Sequence, residues 1–347
     1  MDPLTHALSG VLIVRAVEPI LPSLKLLPLR VRVVAGLVAA AFPDIDIALR
    51  LIDTLIYLNW HQGPTHSLVL LPIWAFLLAH AFAWIYRGRF AWTLFYTPAC
   101  LGLAIHILGD WITAYGLMVF APFSTERFFV PLAFVIDPWI TGMIVAGLVM
   151  SNVFPRQTYI AACTLLCLVL YGLLLMGKHD QAVKIGRDYV KNHSILDASV
   201  AVLPQPFSPF NWKIIISEDE KYHVLMAKLS DRSVFIPDMG LLSKMASAYA
   251  PVSTARWQQI NRYGDVSAHI KLAREAWFDP IFDDFRQFAV FPQFDKMDVY
   301  ESNICIWFFD LRFQFPLLPP SFRYGVCRGK MSSTWTIERH RGIFWID

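Results

Sequence analysis

Four stretches without a charged residue dominate this chain: residues 67–86, 90–108, 138–155 and 157–177, of 20, 19, 18 and 21 residues. A helix rises about 1.5 Å per residue and bilayer hydrocarbon is about 30 Å thick, so each stretch has roughly the length of a membrane span. Two shorter uncharged runs, 3–14 and 33–43, reach only part-way or tilt. Trp or Tyr stands near several ends, where amphipathic rings anchor at the interface. Composition agrees: 56% hydrophobic and 16% charged residues in 347 describe a membrane protein. The expected fold is an α-helical polytopic membrane domain of four long and two short apolar helices over residues 1–177. An α+β extramembrane domain follows over 178–347, where the composition turns abruptly to mixed charge.

In that second half, 179–192 and 254–276 read as helices. Residues 212–217 and 222–229 read as a hairpin around Glu218, Asp219 and Glu220, with further strands at 285–294, 304–315, 323–327 and 334–338. Cys100, Cys163 and Cys167 lie in apolar runs; Cys305 and Cys327 lie in the polar half and can pair only in an oxidising compartment. A net charge of +3, with no basic run interleaved with aromatics, argues against nucleic acid as a partner. Asp2 stands where a secretory leader carries basic residues, and the first apolar run ends in Arg15 without a cleavage pattern, so this segment is expected to be retained.

Basic residues are distributed unevenly. Arg15, Lys25, Arg30, Arg32, Arg87, Arg89 and Arg156 lie in the turns after the first, third and fifth apolar segments, and the opposite turns hold only Arg50 and Arg127. The positive-inside rule puts the first set in the cytoplasm. His6, Asp44, Asp46, His66, His106, Asp110 and Asp137, all at segment ends, then fall together on the non-cytoplasmic face, and so does the carboxy-terminal domain.

Those residues carry the chemistry. His61 and His66 bracket the turn Gln62-Gly63-Pro64, which bends the backbone so that both rings can address one point. His106 and Asp110 are one helical turn apart on one face. Asp44 and Asp46, in Phe42-Pro43-Asp44-Ile45-Asp46, would point to opposite sides of an extended backbone unless they share a target: two cations, a cation and a water, or a proton held between them. Each piece has a plainer reading. Helix-end carboxylates are commonly solvated, a lone His6 near a terminus is usually unremarkable, and Asp137 before Pro138 caps a helix, leaving it a supporting role beside the ligands. His80 is about 21 Å along a helix from His66, too far to share an ion. His179, His193, His223, His269 and His340 are scattered through the polar half.

The succession Met1-Asp2-Pro3-Leu4-Thr5-His6, Phe42-Pro43-Asp44-Ile45-Asp46, His61-Gln62-Gly63-Pro64-Thr65-His66-Ser67 and His106-Ile107-Leu108-Gly109-Asp110, continuing to Gly116, resembles the YdjM-type family of LexA-regulated, inner-membrane-associated, metal-dependent hydrolases. Pro122-Phe123-Ser124 and Ile136-Asp137-Pro138 are similar to the same pattern, and the carboxy-terminal half resembles the extension of the longer, YfhP-like members. Members often carry Arg after the first histidine of the third motif, where this chain has Gln62. The resemblance implies a metal-dependent hydrolase of the bacterial inner membrane, with His6, Asp44, Asp46, His61, His66, His106 and Asp110 as its metal and catalytic set.

The expectation is therefore a hydrolase using one or two divalent ions, zinc first and manganese second. His6, Asp44, His61, His66 and His106 are the ligands, and Asp46 or Asp110 takes the proton of the attacking water. A site sunk in the membrane selects an amphiphile, a lipid or lipid-linked ester, with phosphoester favoured; membrane lipids are the expected partners. No Gly-x-Ser-x-Gly elbow accompanies these residues. Two rivals use the same residues: an intramembrane metal or proton carrier, and a non-enzymatic protein with a structural ion.

Overall fold

A computed structural model of the chain describes residues 1–230, 240–300, 302–329, 332 and 334–339; His340 lies outside them. The chain divides into two compact units, residues 1–179 with 204–209, and residues 180–203 with 210–347.

The first unit is helical. α1 (Pro3–Val17) starts at Asp2, whose side chain accepts from Thr5 N at 3.0 Å, with Pro3 in the first turn where its missing N–H costs nothing. α2 (Leu29–Ala41) leads into a 3-10 run, Pro43–Leu51. α3 (Thr54–Trp60), capped by Asp53, ends at His61, and a short 3-10 turn, Pro64–His66, precedes α4 (Leu71–Ile85). α5 (Trp92–Trp111), α6 (Pro138–Val153) and α7 (Ile160–Asn192), whose residues from Asp180 on belong to the second unit, complete the set.

Glycine sets how closely the central helices approach. A Cβ on Gly36 of α2 would stand 2.7 Å from Gly10 O of α1, and one on Gly102 of α5 would stand 2.6 Å from Gly36 O. Three backbones therefore meet where a side chain would separate them, as small residues allow in membrane helix pairs. Thr5 and Thr141 share a hydrogen bond at 2.6 Å, and Arg15 reaches Ser151 O at 2.9 Å, so α1 and α6 run parallel.

The helix lengths differ from the pattern of four long and two short. Among the described residues two helices, α5 and α7, are long and apolar enough to cross a membrane, and the segment Thr54–His66 with Leu71–Ile85 makes a third only if a pair bent by 81° counts as one span. The bend has a local cause: Ser67 Oγ accepts from Val69 N and Leu70 N at 3.1 and 3.3 Å, spending the first residues of that uncharged run on a cap. α1 and α6 are shorter apolar helices. Asp44 and Asp46 lie in a 3-10 helix, not in an extended segment, because Pro43 presets a helical φ at its start.

The second unit is rich in strands. β1 (Ser199–Pro204), β2 (Asn211–Glu218) and β3 (Lys221–Lys228) are neighbours in that order; β4 (Ala250–Pro251), after α8 (Leu241–Ser247), and β5 (Gln258–Asn261) both pair with β3. The β2–β3 hairpin turns at Asp219 and Glu220, as the sequence suggests. After α9 (Ser267–Phe278) and α10 (Asp283–Phe288), β6 (Pro292–Val299), β7 (Asn303–Asp310), β8 (Tyr324–Gly329) and β9 (Thr336–Arg339) form an antiparallel meander. The expected helix over 254–276 begins only at Ser267, and the expected strand at 285–294 opens as α10. Phe282, Phe285 and Phe288, at intervals of three, are all buried, and that spacing is helical. Cys305 and Cys327 face each other across β7 and β8 and form a disulfide.

Candidate metal centre

Four side chains from three segments converge in the first unit. Asp44 comes from the 3-10 run after α2, His66 from the turn before α4, and His106 and Asp110 from the last turns of α5. One ligand atom from each lies within 4.8 Å of every other. His66 Nε2 and His106 Nε2 are 2.9 Å apart, each is 3.3 Å from Asp110 Oδ2, and they lie 3.8 and 3.7 Å from Asp44 Oδ1.

The ring orientations are imposed from behind. His106 Nδ1 donates to Ala40 O at 2.6 Å, which fixes its tautomer and leaves the Nε2 lone pair facing the centre. His66 Nδ1 lies 3.0 Å from Thr65 Oγ1. His6 Nε2 is 3.0 Å from Asp110 Oδ1, and the Met1 amino group meets the same oxygen. The His6 ring also stacks on His106 with centroids 3.7 Å apart. His6 thus stands behind Asp110, outside the four-ligand group.

A second group adjoins the first and shares Asp44 with it: Asp44, Asp46 and His61, again with ligand atoms within 4.8 Å. Asp46 is held on one side by Gln62 N at 3.0 Å and Thr65 Oγ1 at 3.4 Å, both donating to Oδ2, while Oδ1 faces His61 Nδ1 at 2.9 Å. Asp137 joins neither group. It caps α6, accepting from Trp139 N and Ile140 N at 2.9 and 3.1 Å, and Tyr171 donates to its other oxygen. His80 bonds Phe76 O within its own helix and stacks on Trp92, as its distance from His66 requires.

The donor set fits a divalent cation. Two imidazole nitrogens and two carboxylate oxygens suit zinc-like ions of borderline softness. Asp44 Oδ2 and Asp110 Oδ2 are cut off from solvent and accept no hydrogen bond. A buried acceptor left so costs about 1–3 kcal/mol, more when charged, unless a cation satisfies it.

The residues that hold the histidine turn escaped the sequence reading. Arg127 donates to Asn59 O at 2.6 Å, Gly116 O at 2.7 Å and His61 O at 3.1 Å. Met118 N donates to Gln62 O at 3.0 Å, and Ser67 Oγ to Ala121 O at 2.6 Å. Gln62 is thereby kept at φ 58°, a left-handed conformation that a non-glycine residue adopts only when its surroundings insist. The one signal in the sequence was Gly116, whose φ of 97° marks a required glycine within the fourth motif.

Over 230 residues the chain is 24% identical to a Bacillus subtilis protein described as uncharacterized protein YfhP, a match covering 65% of this chain and 67% of that one. No solved structure matches. The family model described as YdjM inner membrane protein matches residues 1–182, which include every residue of both ligand groups, and with more than half of its length so matched the chain belongs to the YdjM family of membrane-associated proteins.

Proposed function

We propose that this protein is a membrane-bound, metal-dependent hydrolase that cleaves an ester, a phosphoester first, in a lipid or lipid-linked substrate. The convergence of Asp44, His66, His106 and Asp110 carries the reading: two oriented imidazoles and two partly unsatisfied carboxylates, gathered from separate segments of an apolar helical unit. These four residues would hold the ion, zinc before manganese. When bound, such an ion supplies Lewis acidity, which makes water nucleophilic near neutral pH and offsets charge on the ester oxygen.

The protein's own groups do the rest. Asp110 borders the centre through Oδ2, and His6 and the Met1 amino group hold its Oδ1 from behind, so the carboxylate keeps its aim at the ion position. His106 is kept from turning by Ala40 O, and His66 by Thr65. Asp44 is the most exposed of the four, at 22%, which puts the approach for substrate on its side. The exposed apolar residues of the neighbouring 3-10 run, Ile45, Ile47 and Leu51, suit an acyl chain better than a sugar. Location on the non-cytoplasmic face of a bacterial inner membrane is supported by the uneven basic residues and by the Cys305–Cys327 disulfide, which belongs to an oxidising compartment.

The test is metal content of the detergent-purified full chain by elemental analysis, beside His66→Ala/His106→Ala. Bound zinc or manganese in the wild type, lost in the variant, together with hydrolysis of a lipid phosphoester that disappears with it, is the expected result. A wild type that takes up neither metal after reconstitution refutes the reading.

A further inference from the structure

We propose that the centre takes two divalent cations, the second held by Asp46 and His61, with Asp44 bridging the pair. This rests on the metal-dependent reading above and extends it.

Three observations converge. Asp44 is common to both ligand groups, and its ligand atom lies within 4.8 Å of those of Asp46 and His61. Its Oδ1 faces the Nε2 atoms of His66 and His106, whereas its Oδ2 is shielded from solvent and accepts no hydrogen bond. One ion at the first group accounts for Oδ1 and leaves the second oxygen unanswered; a carboxylate between two ions accounts for both.

Asp46 has the complementary arrangement. Gln62 N and Thr65 Oγ1 both donate to Oδ2, which fixes the carboxylate and leaves Oδ1 directed at His61 Nδ1, 2.9 Å away. Two ligand atoms that close are the spacing of adjacent ligands around one ion with bonds of about 2.0–2.2 Å. The His61 ring is itself placed, with Tyr57 stacked on it at 4.8 Å and Tyr115 edge-on at 5.1 Å.

Charge points the same way and narrows the substrate. Counting side chains, Asp44, Asp46 and Asp110 bring three negative charges to one small region. The Met1 ammonium on Asp110 offsets one of them, so a single divalent ion leaves the region neutral, whereas two leave it net positive and attractive to a phosphoester anion, and two ions sharing a bridge can clamp the attacking and leaving oxygens of a phosphoryl group. The second ion therefore selects a phosphoester over a neutral carboxyester.

The experiment uses full-length protein in detergent, stripped with chelator and titrated with Mn²⁺. Bound manganese is counted by elemental analysis, and the EPR spectrum is recorded at each addition. Expected are two equivalents in the wild type, an exchange-broadened spectrum at the second, and one equivalent with an uncoupled spectrum in Asp46→Asn/His61→Ala. Saturation at one equivalent in the wild type overturns the second ion and leaves the hydrolase reading standing. Two equivalents without magnetic coupling, or two retained in the double variant, overturn the Asp44-bridged assignment. No manganese or zinc at all overturns both readings. Wild-type stoichiometry and spectrum decide the matter even if the variant does not fold.

Discussion

His6 and Asp110 are 104 residues apart in sequence, yet His6 Nε2 lies 3.0 Å from Asp110 Oδ1 and both side chains are almost wholly buried. That pair ties the start of α1 to the end of α5 directly behind the four-ligand group. Partners of this kind orient a ligand without touching the ion, and losing one typically weakens metal affinity or activity about 10–100-fold. His6→Ala should lower zinc affinity of the detergent-purified protein by that order, measured by competition with a chromophoric chelator, while His80→Ala leaves it unchanged. Equal affinity in His6→Ala and wild type would remove His6 from the site.

Arg127 offers a sharper test, because it braces the histidine turn through backbone carbonyls. It donates to the carbonyls of Asn59, His61 and Gly116. Arg127→Ala unfastens the turn between His61 and His66 and should reduce metal affinity about tenfold. Arg127→Lys should recover little, since one ammonium lacks the planar fork that spans three acceptors. Full recovery by lysine would show that charge alone matters there.

The glycine crossing predicts a fault at a distance. Gly36→Val forces a branched side chain against Gly10 O. Overpacking of this kind costs roughly 1–3 kcal/mol. The melting temperature in detergent should fall, and the metal affinity with it, although Gly36 is not a ligand. A variant with unchanged melting and metal binding would mean that the three helices are not in backbone contact.

In the second unit, Lys213 is fully buried, donating to Leu311 O at 2.7 Å and to Gln314 O, and burial pushes its pKa down from 10.5 to about 7. Between those two values the unfolded chain holds a proton that the folded one does not, so stability rises with pH across that window, by up to about 1.4 kcal/mol per unit. Hydrogen exchange of β2 amides should slow accordingly from pH 7 to 10 after correction for intrinsic rates, and Lys213→Met should flatten the trend. A flat profile in the wild type would mean that Lys213 keeps its charge in the fold.

Cys305 and Cys327 close a loop with a sequence separation of 22. Cross-links of that size contribute about 2–4 kcal/mol. Cys305→Ser/Cys327→Ser should lower the denaturation midpoint, and maleimide should label those two positions in membranes only after reduction. Labelling before reduction would place them in a reducing compartment.

Much of the centre was legible because its residues announce themselves. Ionisable groups at the ends of apolar segments are costly, and His61, His66, His106, Asp110 and Asp44 were found that way and do converge. What sequence could not supply was local backbone form and long-range support. Period-two reasoning about Asp44 and Asp46 gave way to a 3-10 run started by Pro43, and an uncharged run from residue 67 proved to begin with a Ser67 cap before α4. Arg127 reads as an isolated loop charge, since nothing near it in the chain points to carbonyls some 66 and 68 residues away. Phe285 and Phe288 looked like strand residues by type but, with Phe282 three residues before, are helical by spacing.

The contact of Gly10, Gly36 and Gly102 also bears on how such a protein diversifies. Where backbone rests on backbone there is no side chain to trim or enlarge, so the scaffold offers almost no gradual route to a differently shaped centre. Novelty has to enter through exposed positions outside the helices, such as Phe120 and Phe123, which lie in the loop that braces the histidine turn but leave its bonds to Gly116 and Arg127 untouched. A mutational library aimed at new substrates belongs there, and one spread evenly over the helices would return mostly inactive chains.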